Sequence, residues 1–385
     1  MFHALFNSLS GLFSFSKSLD VVSNNVANMN TPGFRGSDAF FENLNGGRGT
    51  RIDGEGVRTS SGDIRQTSTP TDLAIDGNGY FVLRDAQGRF YYTRAGQFRF
   101  DENGLLIDSA TGYEVMAINS QGNLQNIDLD DYRTLEPQAT STVRMTGNIV
   151  PGVAVTNVGS IQIYDPSGGM HTLTATLTDN SAVTPGSYLV EVVDETGATV
   201  GTGEVRFETD GTPASGFNSL TLNLAYGGAT QTVSLDFGTP GAFNGATRLT
   251  GIAASLKAQA PDGHPLLGVT GLSFDDQGVM QLIYSSSEKR EGPQIALATF
   301  PSDSALEMVG GRLIAGTSVA GREIGRPGAG SLGHIAGSSL EMSNVDLNQE
   351  FADMIIIQRG YQANSRVMTV SNEMIEQLYN STRGG

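Results

Sequence analysis

The chain has 385 residues, enough for two or three domains with cores of their own. Its formal net charge of -17, from 40 Asp and Glu against 23 Lys and Arg, excludes a nucleic-acid binder, which needs a basic stripe to meet phosphates. With no cysteine there are no disulfides, thiolate nucleophiles or cysteine zinc sites, and no apolar run approaches the roughly 18 residues of a membrane span.

Helical spacing of apolar residues runs from Phe2 to Asn28. Leu5, Leu12, Leu19 and Val26 fall seven apart, and Phe2 and Leu9 begin a second seam that Ser16 and Ser23 interrupt. The pattern stops at Asn28-Met29-Asn30-Thr31-Pro32-Gly33, where Pro and Gly end a helix. The first twenty residues lack a basic start and a small-residue cleavage site, so they do not read as a cleaved signal peptide. If the chain is exported, a route that leaves this end in place is expected. Residues 31–70, rich in Gly and Arg, are expected to form a linker with hinge roles, and Gly310–Gly337 a second one.

From residue 71 the signal is β. Tyr80–Arg84, Phe90–Arg94, Gln97–Asp101, Leu105–Asp108 and Tyr113–Ile118 read as a meander, separated by turns such as Asp85-Ala86-Gln87-Gly88. Six further strands are expected between Ser160 and Phe237, where the stretch 150–270 carries only Arg206, Arg248 and Lys257 as cations against many acids. Leu272–Phe274, Val279–Tyr284 and Gln294–Phe300 return to the first style. The expected domains are therefore 71–145 with 270–335 as a β-rich core, and 146–269 as an inserted, water-facing β domain.

The C-terminal stretch mirrors the start. Leu347, Met354, Tyr361, Met368 and Ile375 are seven apart, and Phe351, Ile355, Ile357, Met374 and Leu378 widen the stripe. Ser343-Asn344-Val345-Asp346 has the form of a capping box before a helix over about 344–381, roughly 55 Å long. The fold class is α+β: residues 1–30 and 344–385 form a coiled-coil-like inner helical domain, and the middle and outer domains are mainly β.

Catalytic constellations fail on context. His3, His171, His264 and His334 lie far apart and read as surface histidines. Gly328-Ala329-Gly330-Ser331-Leu332-Gly333 matches G-x-G-x-x-G but follows Arg326-Pro327 and lacks the strand–helix setting of a dinucleotide site. Asp101-Glu102-Asn103-Gly104 and Asp76-Gly77-Asn78-Gly79 are fragments of calcium loops without the closing Glu, and turn chemistry accounts for them. No catalytic, cofactor or metal residue is assigned.

Several segments resemble the bacterial flagellar rod and hook protein family. Asn24-Asn25-Val26-Ala27-Asn28 with Thr31-Pro32-Gly33-Phe34-Arg35 looks like its N-terminal signature. Ser343-Asn344-Val345-Asp346 and Gln358-Arg359-Gly360-Tyr361 look like the C-terminal one. Asp72–Phe81 and Tyr92–Phe98 resemble the family's β core, and Tyr164–Thr174 resembles a segment of its hook members. The resemblance implies a non-enzymatic subunit that polymerises helically into a flexible, torque-transmitting hook. Its implied partners are copies of itself, the distal-rod, cap and hook–filament junction proteins, and the flagellar export apparatus. Leu5, Leu9, Leu12, Leu19, Val26, Leu347, Phe351, Met354, Tyr361, Met368, Ile375 and Leu378 are the candidate assembly residues. Asn24, Asn25, Asn28, Thr31, Gly33, Phe34, Ser343, Asn344, Val345, Gln358, Arg359 and Tyr361 carry the family motifs. A distal-rod protein, a secreted adhesin and a secreted hydrolase remain as alternatives.

Overall fold

The computed structural model describes residues 2–43, 49–226, 228–301, 307–309, 312–315 and 321–383. Parts of the two stretches expected to act as hinges, 44–48, 310–311 and 316–320, lie outside these residues. Two compact units result, residues 1–132 with 270–385 and residues 133–269.

Two long helices carry the ends of the first unit, α1 (Phe2–Ala27) and α2 (Leu347–Arg383). Gly33 stops the turn after α1, with φ at +71° and its Cα so close to the Ala95 backbone that a Cβ would lie 2.3 Å from that nitrogen. Only glycine tolerates both. The start of α2 differs from the expected capping box. Asp346 is the cap, its Oδ1 accepting from Asn348 N–H at 2.9 Å and its carbonyl from Glu350 N–H at 3.0 Å. Ser343 is drawn instead into a local turn onto Val345 N–H.

The stretch 31–70 holds three strands, β1 (Ser37–Asn43), β2 (Thr50–Val57) and β3 (Ile64–Gln66). β1 and β2 form an antiparallel hairpin, and β3 pairs with Ser339–Glu341. None was legible: β1 and β2 lack a clean apolar alternation and pack on α1, and the partner of β3 lies about 275 residues away. The β core is a sheet with thirteen strands among the described residues. Its centre runs Val279–Ile283, Lys289–Ile295, Glu114–Ile118, Tyr80–Arg84 and Phe90–Thr93. Phe81 meets Phe98 edge-on at 5.0 Å, and Tyr92 meets Phe300 at 4.9 Å.

The second unit is a β-sandwich. A four-stranded meander (Val155–Tyr164, Met170–Asp179, Ser187–Val193, Thr199–Arg206) faces a five-stranded sheet ordered from Ser219–Tyr226 through Ala229–Asp236 and Thr142–Asn148. Leu173, Ala175, Leu177, Val190 and Val192 alternate inward from one sheet, and Val143, Met145, Leu222, Val233 and Leu235 from the other. The unit begins at residue 133 rather than 146, because Thr134–Leu135 pairs with Leu267–Gly268 and Thr142–Asn148 pairs parallel with Ala229–Asp236.

One turn recurs through both units. Asp85, Asp101, Asn119, Asp165, Asp194 and Asp275 each place Oδ1 to accept the backbone N–H groups two and four residues on. A glycine three residues after each takes positive φ. The side chain mimics a missing carbonyl and closes the hairpin.

Candidate assembly surface

α1 and α2 run antiparallel. Gly11 sits opposite Asn364, Phe15 lies over Gly360, and Asn25 reaches Glu350. A Cβ on Gly11 would come within 2.9 Å of the Asn364 amide, and one on Gly360 within 2.5 Å of the Phe15 ring. The Asn364 Nδ2 donates to the Gly360 carbonyl at 3.0 Å. Larger residues at either glycine would push the helices apart.

The faces turned inward are mostly small or polar, with Val21, Val22 and Ile357 as the apolar exceptions. On α1 the buried positions are Ser8, Gly11, Ser14, Ser18, Val21, Val22 and Asn25; on α2 they are Glu350, Ile357 and Ser371. On α1 these fall at helical spacing of three and four, and on α2 they lie on one face about two and four turns apart. The β1–β2 hairpin covers another side of α1. Ser14 Oγ donates to Thr50 O at 3.1 Å, Thr50 N–H donates to Ser10 Oγ at 3.2 Å, and Phe15 packs against Phe41 with ring centres 5.9 Å apart.

The large apolar residues flank this seam. Leu5, Leu9, Leu12, Leu19 and Val26 are half-buried, as are Leu347, Met354, Met368 and Ile375. Phe351, Tyr361 and Leu378 are exposed. A second stripe, Ile356, Val367, Val370, Met374 and Leu378, lies along one side of α2 and faces solvent. Sequence reasoning missed Ile356, Val367 and Val370 because they fall outside the heptad through Leu347. It also missed the buried serines, Asn364 and Glu350. Small residues spaced three and four apart on α1 were the signal that could have found them. Continuing the register along helices of equal rise puts Phe2 opposite about residue 373, so the last turns of α2 have no described residue of α1 beside them.

The motif residues join α1, α2 and the β core. Asn25 is fully buried; its Nδ2 donates to Ser37 O at 2.8 Å and its Oδ1 accepts from Ser37 N–H at 3.0 Å. Asn28 Nδ2 donates to Asn24 O at 2.9 Å, and Thr31 Oγ1 to Asn28 Oδ1 at 3.2 Å. Phe34 and Gly33 are buried, and Asn344 ties Gly36 N–H to the Arg58 and Ser60 carbonyls. Gln358 and Arg359 are exposed on α2, and Ser343 and Val345 are half-buried.

Two histidines differ from the surface assignment. His264 is buried, its Nδ1 2.9 Å from Pro265 O. His171 stacks on Tyr226 with ring centres 3.6 Å apart and lies between Asp165 and Glu195, at 3.1 and 3.4 Å. The Ser167 hydroxyl, and then the His171 ring, hold the Asp165 carboxyl well below the usual carboxylate range. Gly328–Gly333 forms a loop between the strands Glu323–Gly325 and His334–Gly337, closed by Gly328 N–H on Gly333 O at 2.8 Å. Asp101 spends its Oδ1 on the turn.

A chain with two antiparallel terminal helices and a mainly β middle matches the profiles of one class, the axial flagellar rod and hook proteins. Three family profiles match in chain order: Flagella basal body rod protein over 5–35, Flagellar hook protein FlgE/F/G D1 domain over 74–163, and Flagellar basal body rod FlgEFG protein C-terminal over 336–381. The flagellar hook protein FlgE of Brucella suis is 31% identical over 97% of this chain and 98% of its own length. That of Borreliella burgdorferi is 27% identical over 98% and 99%. The crystal structure of Helicobacter pylori FlgE2 shares the fold, with a TM-score of 0.50 and 15% identity over 72% of this chain and all of that one. The chain belongs to the flagellar hook protein FlgE family, structural proteins of the bacterial flagellum.

Proposed function

We propose that this chain is the subunit of a hook that polymerises helically into a flexible tube carrying torque from rod to filament. The observation that carries the reading is the stripe of half-exposed and exposed apolar side chains along α1 and α2. A helix pair that packs mostly serines and glycines inward leaves most of its Phe, Ile, Val and Leu for neighbours. Each such side chain, once fully covered, contributes about 1.5–3 kcal/mol. Several per subunit offset the cost of ordering and association. Contacts of this kind are head-to-tail and need not close into a ring.

In this reading 1–30 with 344–385 is the inner assembly domain, packed as a coiled-coil-like layer. Residues 71–132 with 270–335 form the middle layer, and 133–269 the acidic outer layer, where wet contacts can exchange during bending. The axial partners are the distal-rod, cap and junction proteins, reached after export with the N-terminus intact. The chain acts by assembly, not by catalysis. End-to-end alignment with hook proteins favours hook over distal rod.

Electron microscopy of the concentrated full-length chain tests the reading. Tubes of uniform diameter are expected, and none from a chain lacking 1–30 and 344–385. A full-length chain that stays monomeric at high concentration contradicts it.

A further inference from the structure

Three chain segments connect the helix pair to the β core of the first unit: residues 28–36, 58–63 and 341–346. A hinge needs contacts that break and rehydrate at little cost. These segments are cross-tied instead. Gly33 N–H donates to Glu341 O and Arg58 N–H to Gly36 O, each at 2.8 Å, and Met342 N–H donates to Asp63 O at 2.8 Å. Arg35 donates to the carbonyls of Thr59 and Ser60.

Two buried carboxylates sit at the ends of this neck. Glu341, 1% exposed, accepts from Arg35 at 2.9 Å, Arg94 at 3.3 Å and Gly62 N–H at 3.0 Å. Arg94 in turn donates to Gly77 O in the β core at 2.8 Å. Glu350, fully buried in the first turns of α2, accepts from Arg58 at 2.7 Å and from Asn25 of α1 at 3.1 Å. Arg58 also grips Asp38 at 2.7 Å. Charge-assisted bonds out of water are directional, and a charge that loses its partner there is left uncompensated. Rotation of the helices against the core must break the Glu341–Arg94 bond, while the Glu350 bonds hold the helix ends to the strand segments that lead into the neck.

We infer that the neck is a rigid coupling in which Glu341 and Glu350 are positioning residues, so that the helix pair and β core turn as one body. This rests on the hook reading, and it moves bending away from residues 31–70.

The absence of cysteine allows a clean lock. A Cβ at Gly36 would lie 3.2 Å from a Val345 methyl, so Gly36→Cys with Val345→Cys places two thiols side by side in the neck, and loss of free thiol on oxidation scores the bridge. Hooks assembled from this full-length variant are expected to have the same bending stiffness oxidised and reduced, by contour analysis in electron micrographs. Severalfold stiffening on oxidation overturns the coupling. Glu350→Gln is expected to lower stiffness at least twofold and broaden the curvature distribution; unchanged hooks overturn the role of Glu350. Should that variant fail to assemble, Arg58→Lys keeps the charge, loses the fork, and is expected to soften hooks by less. Hydrogen exchange on the unassembled full-length chain gives an arm independent of polymerisation. The amides of Gly33, Gly36, Gly62 and Met342 are expected to exchange as slowly as those of Tyr80–Arg84. Fast exchange there sinks the inference even if tubes form. If the unaltered chain forms no tubes, the hook reading fails while this arm still decides the neck.

Discussion

The inserted sandwich and the helix pair are built on opposite rules. In the sandwich, Leu173, Leu177, Val192, Leu222 and Val233 point inward and are fully buried, while threonines and acids face water. In the helix pair the inside is mostly serines, a glycine, an asparagine and a glutamate, with only Val21, Val22 and Ile357 as apolar members among the described residues, and Phe6, Phe13, Ile356, Val370 and Leu378 are outside. One unit completes its core by itself. The other leaves its apolar surface for assembly, and that division separates the residues that decide folding from those that decide polymerisation.

The sharpest way to break this comparison is to charge the outward stripe. Val370→Asp with Met374→Asp is expected to raise the critical concentration for tubes at least about 100-fold. Each side chain is already about half covered in the subunit, so the lost burial is about 1.5–3 kcal/mol, and burying two carboxylates costs more still; each 1.4 kcal/mol or so is tenfold. The same variant should leave the thermal unfolding of the subunit within about 0.5 kcal/mol of the parent, because nothing buried changes. Loss of folding in that variant would show that the stripe serves the subunit itself.

The converse substitution is Leu177→Ala in the sandwich. It should destabilise that unit by about 2–5 kcal/mol in denaturant titration. Tubes should still form at temperatures where the unit stays folded. Loss of tubes at such temperatures would mean that the outer unit directs assembly.

How much of this was legible in the sequence follows the same divide. Ser187–Val193 and Tyr80–Arg84 were read to the residue, because alternation and the Asp-x-x-Gly turns are local signals. Both helices were visible from their heptads. The seam between them was not, because Ser8, Ser18, Asn364 and Ser371 are not apolar and periodicity searches pass over them. β3 was missed because its partner strand is remote in sequence, and the β1–β2 hairpin because its strands lack a clean apolar alternation. The Arg35–Glu341–Arg94 cluster was invisible because it gathers three segments that no spacing connects.

A smaller effect is expected where the helices touch. Gly360→Leu improves helix propensity but forces the Phe15 ring away, so a net cost of about 1–3 kcal/mol to α1–α2 pairing is expected. Exchange of α1 amides should accelerate, with the sandwich unaffected. Unchanged exchange would mean that the close approach is not needed.

The smallest expected effect is on pH dependence and belongs to the β regions. Leu105 N–H on Asp101, the Ser167 hydroxyl on Asp165 and the Thr196 hydroxyl on Asp194 each hold a carboxyl below its ordinary value. A carboxyl depressed in the folded state contributes stability that is complete above its unfolded pKa, near 4, and is lost as pH falls toward the folded value. Melting temperature should therefore be flat from about pH 7 to 5 and decline below about pH 4, and Asp165→Asn should shrink that decline. Melting that rises on acidification would contradict the turn assignment.

The most direct test of the division is hydrogen exchange along α2 in two states of the same full-length chain. In the unassembled subunit, amides from Ile356 to Leu378 are expected to exchange orders of magnitude faster than those of Leu173–Leu177; in tubes the two sets should be comparably slow. Slow exchange along α2 in the lone subunit, with no further protection on concentration, would contradict the account.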